Sequence, residues 1–273
     1  MVIAQQANGN AGLYLLFAAG ERPDRPAILE FAGRHPSVSL SYDPFDSPSP
    51  GLVPANVDGD DAQAPADDEL ADKIWVELLR DGLTFDLRGM DPGRSCPIPP
   101  VQHLFDMEQA PAPTACEGMR IMAGPHLAGG ERSVPVMRGM IALARDLVHH
   151  FDGLAAVAWP PAKSVIGRRF FESTATAWLE GGAFPALGLT AFSEGLDGAL
   201  QSVGLDHWIG QELRIEPPLA TDRAMATRLG VRLVNQLILV GGLEESERII
   251  APDGTRLVLR PSRNGRFIRV WRE

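Results

Sequence analysis

Ser133–Trp159 reads SVPVMRGMIALARDLVHHFDGLAAVAW, and this stretch decides the fold class. Ser133 is a favoured N-cap type, and Pro135 falls in the first turn, where its missing N–H does no harm. Met137, Met140, Ile141, Ala144, Leu147, Val148 and Phe151 then recur at helical spacing, and Gly153 closes the helix. Leu154 to Trp159 is an unbroken apolar run of strand length, stopped by Pro160-Pro161. An amphipathic helix running into a wholly apolar strand predicts helices packed on a buried sheet.

Working outward toward the N-terminus, Gly118–Ala123 is a predicted strand. Met90–Pro113, with six prolines, is a predicted irregular excursion. Lys73–Leu79 and Gly82–Arg88 flank Asp81-Gly82, a strong hairpin signal. Val38–Tyr42 alternates like a half-buried strand, Pro23–His35 reads as a short helix, and Gly12–Ala18 as a buried strand. Toward the C-terminus, Gly167–Glu180 is helical, Leu196–Val203 is a candidate helix, and Glu212–Glu216 is a strand. Thr221 or Asp222 caps a helix that runs to Val240 and is apolar over most of its circumference. Three strands follow, Glu247–Ala251, Thr255–Arg260 and Arg266–Trp271, joined at Asp253-Gly254 and Asn264-Gly265, which suit type I′ turns.

Strand, helix, strand, strand thus occurs near both ends. The expectation is an α+β protein of two related ferredoxin-like-type sandwiches, residues 1–113 and 114–273, with the seam in the proline-rich excursion, or one continuous domain. No 20–50-residue sequence repeat accompanies the architectural one.

The chain has 273 residues, 45% hydrophobic and 22% charged, with a net charge of −10, which excludes a generally basic nucleic-acid coat. Two cysteines make no disulfide framework and suit a reducing compartment. Met1–Asn10 lacks the features of a signal peptide, and Leu229–Leu243 is broken by Arg232, Asn235 and Gln236, so no membrane span is expected. These features predict a soluble cytoplasmic bacterial protein. The charge is uneven. Asp43–Asp72 holds nine acids and no Lys or Arg, whereas Arg248–Glu273 holds seven arginines against Asp253 and Glu273. Residues 44–66 are expected to be a mobile acidic loop. Both features read as solvated surface, or as an acidic loop docking on basic C-terminal strands.

Ala191-Phe-Ser193-Glu-Gly195 is one residue short of a nucleophile elbow, but in that fold the acid and then the histidine follow the serine. Only His207 follows, fourteen positions on. His149 and His150 are adjacent on a helix and point about 100° apart. His103, His126 and His207 lack zinc-finger spacing, and Cys96 and Cys116 lack a C-x-x-C partner. The acidic run has Asp61 where an EF-hand needs glycine. No phosphate-loop motif occurs. Accordingly no metal and no cofactor are expected. Six arginines from Arg256 to Arg272, with Phe267 and Trp271, raise single-strand nucleic-acid binding, provided the two aromatics are not core. Trp159-Pro160-Pro161-Ala-Lys163 followed by Arg168-Arg169-Phe170-Phe171 suggests a small anionic pocket at a strand end; the bland alternative is a buried Trp159 with solvated cations.

Leu154–Trp159 with Pro160, the helix around Phe170-Phe171, Gly188-Leu189-Thr-Ala-Phe192, the Glu212–Glu216 strand, the long helix and Asp253-Gly254-Thr255 come in one order. In that order the chain resembles the bacterial family designated domain of unknown function 4261, over about its C-terminal 160 residues. It departs from the pattern at Ala158-Trp159, where a tyrosine often precedes the tryptophan, in the extra stretch Ser193–Gln211, and in the acidic loop. The resemblance implies a domain class and no reaction. The functional expectation is therefore a non-enzymatic module binding a protein partner or a small anionic ligand, with Trp159, Lys163, Arg168, Arg169 and His126 as candidate binding residues. An enzyme with a site assembled from scattered residues near Trp159 and Lys163 is the alternative, and nucleic-acid binding through the basic C-terminal strands the second.

Overall fold

The computed structural model describes residues 12–46, 74–112 and 114–273. Its architecture is α+β, with two mixed sheets. In chain order the larger sheet takes β1 (Leu13–Ala18), β2 (Val38–Tyr42), β3 (Trp75–Arg80), β4 (Leu83–Arg88), β5 (His103–Phe105), β6 (Cys116–Ala123), β7 (Leu154–Trp159) and β8 (Ser164–Gly167). Their spatial order is β2-β3-β4-β6-β1-β7-β8-β5. The smaller sheet takes β9 (Ala191–Glu194), β10 (Leu200–Val203), β11 (Glu212–Ile215), β12 (Glu247–Ile250), β13 (Arg256–Pro261) and β14 (Phe267–Arg272), in the order β12-β13-β14-β11-β10-β9. Four long helices accompany them: α1 (Arg25–Arg34), α2 (Val134–His150), α3 (Arg168–Leu179) and α4 (Arg223–Val240).

β1 explains the larger sheet. LYLLFA is apolar on both faces, so both faces must be covered, and it pairs antiparallel with β6 on one side and β7 on the other. Leu13, Leu15 and Phe17 join the main core with α1 and α2, which contribute Ile28, Phe31, Met137, Ile141 and Leu147. Tyr14 and Leu16 point the other way, where Ala156, Ala158 and Val165 meet Cys96, Ile98, Val101, Leu104 and Met107. The proline-rich excursion is thus the cover of the sheet's second face, and its β5 adds an edge strand parallel to β8. β6, β7 and β8 all follow residue 113 yet belong to the larger sheet, so the sheets part after Gly167 and one apolar core runs from Leu13 to Val270.

Neither sheet has the β-α-β-β-α-β order of a ferredoxin-like sandwich. What recurs is smaller: β1-α1-β2-β3-β4 and β11-α4-β12-β13-β14 are each a strand, a helix and a three-strand meander. In the second unit the last strand returns parallel beside the first; in the first unit β6 is wedged between them. Asp24 and Asp222 cap α1 and α4, each accepting from an amide three residues on. Asp81-Gly82 turns β3 into β4 with both residues at positive φ, as its hairpin requires. Asp253-Gly254 and Asn264-Gly265 do join antiparallel strands, but only their glycines are at positive φ, so neither is the expected type I′ turn. Gly254 and Gly265 N–H donate to Ala251 and Ser262 O in longer loops that end on a left-handed glycine. Two further segments depart from expectation. Gly167 ends a strand, β8, that pairs with β7 and runs directly into α3, rather than opening the helix itself, and the candidate helix at 196–203 is an exposed turn followed by β10. Of the acidic loop, Asp43 and Asp46 are held by Arg25; residues 47–66 lie outside the described residues, and so does any docking of them on the C-terminal strands. Among the described residues no helix is long and apolar enough to cross a membrane.

α2 is fastened to the sheet by a buried ionic group. Asp146 meets Arg80 from β3, both at most 7% exposed, and accepts Arg145 Nε at 2.7 Å, while His35 Nε2 stands 3.4 Å away. Replacing Asp146 by alanine leaves the buried Arg80 guanidinium with only the exposed Asp81 carboxylate, 3.5 Å from Nε, as counter-charge. Urea denaturation of Asp146→Ala is expected to show a loss of about 3–5 kcal/mol; a loss within the ~0.5 kcal/mol typical of surface substitutions would show that the group contributes little.

Candidate functional site

A cleft of about 660 Å³ opens where five segments meet. The end of β6 supplies Met122 and Ala123, the following loop Gly129–Arg132, and the start of α2 Ser133, Met137 and Met140. The turn after β7 adds Pro160, Pro161 and Lys163, and a one-turn helix, Asp206–Ile209, adds Asp206 and His207. Sequence places these groups up to 85 positions apart, and the β6-β1-β7 pairing brings them together.

Lys163 reaches the cleft from a rigid turn. Pro160–Ala162 forms one 3-10 turn, Lys163 follows in the left-handed region at φ 50°, and its N–H donates to Pro160 O at 2.9 Å. The Lys163 carbonyl accepts from Gln102 and His103 N–H at 2.8 and 3.1 Å, which clamps the turn to the entry of β5. Gly204, at φ 89°, lets the chain before Asp206 lie against this turn, since a Cβ there would stand 2.7 Å from Ala162 N. On the opposite wall Arg132 and Ser133 precede α2, and Ser133 makes no side-chain cap bond.

His207 forms part of the cleft wall. Its ring packs edge-on to Trp159 with centroids 5.1 Å apart, and its Nε2 is buried without a hydrogen-bond partner. Burial first, then the Arg132 charge, pushes its pKa down to about 4 against the pull of Asp206, so the ring is neutral near pH 7. Behind Asp206 lies Glu212. Its carboxyl accepts from the Ser202 hydroxyl, from Gly204 N–H at 2.7 Å and from Leu205 N–H at 3.3 Å. Burial nevertheless pushes its pKa up to about 7, helped by the hydrogen bond and charge of Asp206 and opposed by the Ser202 and Gly204 bonds. Asp206 thus lines the cleft with Glu212 directly behind it.

The five residues singled out from the sequence are divided by the fold. Lys163 lines the cleft, whereas Trp159 stands behind it, fully buried, with Nε1 donating to Leu189 O at 2.9 Å. Arg168 and Arg169 are at the far end of the β7–β8 hairpin, on a shallow depression with Asp106 and Glu108, where Arg168 bonds Asp152 O at 2.6 Å. His126 is exposed on the 3-10 turn Pro125–Leu127 and does not line the cleft. Arg132, Asp206 and Glu212 carry no local motif, and nothing in the sequence singles them out.

Other candidates find partners of their own. Ser193 Oγ lies 3.3 Å from His103 Nε2, a bond that joins the edge strands β9 and β5 of the two sheets. His149 Nδ1 lies 2.8 Å from Glu172 Oε1. Phe267 and Trp271 are half-buried on the face of the smaller sheet opposite Ile268 and Val270, which are core. The Trp271 ring lies between Arg260 and Arg269, at 5.9 and 4.8 Å, and Arg214 and Arg269 both converge on buried Glu216. Three or more His, Cys, Asp and Glu do not cluster around a point anywhere among the described residues. No family model, curated protein or solved structure matches the chain.

The two shifted groups bend stability in opposite senses. The unfolded chain protonates His207 near pH 6.5 and the folded chain only near 4, so stability falls as pH drops through that window. Glu212 loses its proton near 4.5 when unfolded and near 7 when folded, so its contribution is full below 4.5 and is lost as pH rises through 7. Denaturation at a series of pH values is expected to show Glu212→Gln gaining on the wild type from about pH 5 to about pH 8, and His207→Asn gaining as pH falls from about 7 to about 4. A pH-independent difference in either case would contradict the corresponding burial.

Proposed function

We propose that the chain is a binding module for a small anionic molecule with an apolar body, held in the cleft between Arg132 and Lys163 without being turned over. One observation carries this reading: these two cations enter the cleft from different walls, and among the described residues neither stands within ion-pair distance of a carboxylate. Glu131, which adjoins Arg132, is engaged first by its own and the Gly129 N–H groups, which lower its pKa, and the Arg132 charge lowers it further. The start of α2 adds the partial positive charge of a helix N-terminus at Ser133. Met122, Met137, Met140, Pro160 and Pro161 offer apolar wall, and the volume suits a metabolite-sized ligand.

A second reading, acid–base catalysis, is favoured by the Asp206–Glu212 pair, since a carboxyl titrating near 7 beside a cleft is suited to moving protons. The cleft is preferred to nucleic-acid binding on the smaller sheet, because Arg214 and Arg269 there are paired with Glu216 and Asp197. Kinship with the domain of unknown function 4261, a bacterial cytoplasmic setting and common descent of the two strand–helix–meander units belong to the same proposal.

Native mass spectrometry of the purified chain, followed by thermal-shift titration with carboxylates and phosphates, tests the reading. A bound anion is expected, with Arg132→Ala and Lys163→Ala each weakening it by about tenfold, or ~1.4 kcal/mol. Anions that stabilise wild type and both variants equally would place binding elsewhere. Conversion of the bound molecule to product would favour the catalytic reading.

A further inference from the structure

β3 and β4 alternate strictly. Val76, Leu78, Phe85 and Leu87 face α2 and the core, whereas Glu77, Thr84 and Asp86 face the other side of the larger sheet. Side chains so placed are usually solvated, yet Glu77 is 7% and Asp86 3% exposed. The two carboxyls are direct cross-strand partners, where like charges repel. Ser41 donates to Glu77 Oε1 at 2.7 Å, and Arg88, which is partly in solvent and lies over the Trp75 ring, reaches Asp86 Oδ2 at 3.3 Å. Arg120, the next cation on this face, lies over the Tyr14 ring. Among the described residues, Arg88 is the guanidinium that contacts this pair of buried carboxyls.

Two oxygens on this patch are left over. Asp86 Oδ1 and Thr84 Oγ1 are buried with no hydrogen-bond partner. Thr84 Oγ1, Glu77 Oε2 and Thr84 O also crowd one point beside Gly124, where a Cβ would stand 2.5, 3.1 and 3.1 Å from them. A proton on Asp86 is one answer to the excess charge, with Glu77 across the strands or Thr84 Oγ1 as its acceptor. A cation would answer the charge and both orphaned oxygens together. Burial raises the pKa of Asp86, Arg88 opposes this and Glu77 adds to it, as expected of a carboxyl short of positive charge.

We propose that Glu77, Thr84 and Asp86 bind a hard divalent cation on this face of the larger sheet. The donors are all oxygen, which selects calcium- or magnesium-like ions over zinc or copper. Two carboxylates and a hydroxyl leave the remaining positions to water. This site is separate from the cleft and does not depend on its reading.

The test uses the full chain freed of metal with a chelator. Terbium is titrated in with excitation of tryptophan, because Trp75 lies on the same face two residues before Glu77, and calcium and magnesium then compete; calorimetry with each ion runs in parallel. Saturable sensitised emission displaced by calcium or magnesium is expected. Asp86→Asn and Thr84→Val should each weaken the ion by about tenfold, the scale of losing a ligand or its support. Gly124→Ala, which sets a Cβ among the oxygens, should weaken it as well, and Trp75→Phe should abolish the emission while keeping the calorimetric binding. Circular dichroism establishes that each variant is folded, and if Asp86→Asn is not, Thr84→Val and Gly124→Ala decide. Emission unchanged in these variants, which would place the ion on other acidic residues, or no calorimetric binding at millimolar calcium and magnesium, overturns the proposal.

Discussion

A strand that is apolar on both faces is the constraint from which this structure follows. Leu13, Leu15 and Phe17 demand one cover and Tyr14 and Leu16 another, and a strand so buried also needs a neighbour on each edge to satisfy its backbone. α1 and α2 answer on one face. On the other, the segment around Cys96, Ile98 and Val101 answers, although its prolines suit it to no regular sheet. The edges are closed by β6 and β7, which flank α2 in the chain, so satisfying β1 also fixes where α2 starts and where the β7 turn ends. The cleft lies between those two points.

The junction with the smaller sheet is built from aromatic rings. Phe184 and Trp208 are 4.8 Å apart, Trp178 and Phe184 5.5 Å, and Trp159 and Trp208 6.0 Å, most of them in edge-to-face or tilted contact. Phe184 N–H also donates to Asn235 Oδ1 on α4 at 2.7 Å, and Ser164 Oγ donates to Gly188 O at 2.6 Å. This packing sets His207 against Trp159 and so fixes one wall of the cleft. Trp159 thus serves the site from behind, as a support rather than a contact.

Charge in this protein is organised by burial more than by composition. The net charge of −10 suggests a mildly acidic surface, but several of the consequential groups are buried: Asp146 between arginines, Glu216 beneath Arg214 and Arg269, and the Glu77 and Asp86 pair behind the Arg88 guanidinium. The first two carboxylates are matched by arginines and tie elements together. Among the described residues the last pair is under-matched, and the two cations of the cleft stand outside ion-pair distance of a carboxylate. Imbalances of either sign at buried or concave positions are where an external ion or ligand can supply what the chain does not.

Local patterns in the sequence determined the elements. The periodicity of Met137 to Val148, the apolar runs at 13–17 and 154–159, the caps Asp24 and Asp222 and the turns at Asp81-Gly82, Asp253-Gly254 and Asn264-Gly265 each act over a few residues, so they can be read without knowing the fold. The α+β class followed from them. Strand β8, the strand at 200–203 and the covering role of residues 96–107 depend on neighbours distant in sequence, and their short mixed segments show no period of their own. The candidate site divides in the same way. Lys163 was legible as a cation beyond a strand end, but Arg168 and Arg169, only five and six positions on, are carried by β8 to the far end of a hairpin. Arg132, Asp206 and Glu212 became neighbours of Lys163 only because β1 draws β6 and β7 to its two edges and the aromatic junction seats the 204–212 segment on the β7 turn. Local chemistry specified the pieces; burial of one two-faced strand decided which of them meet.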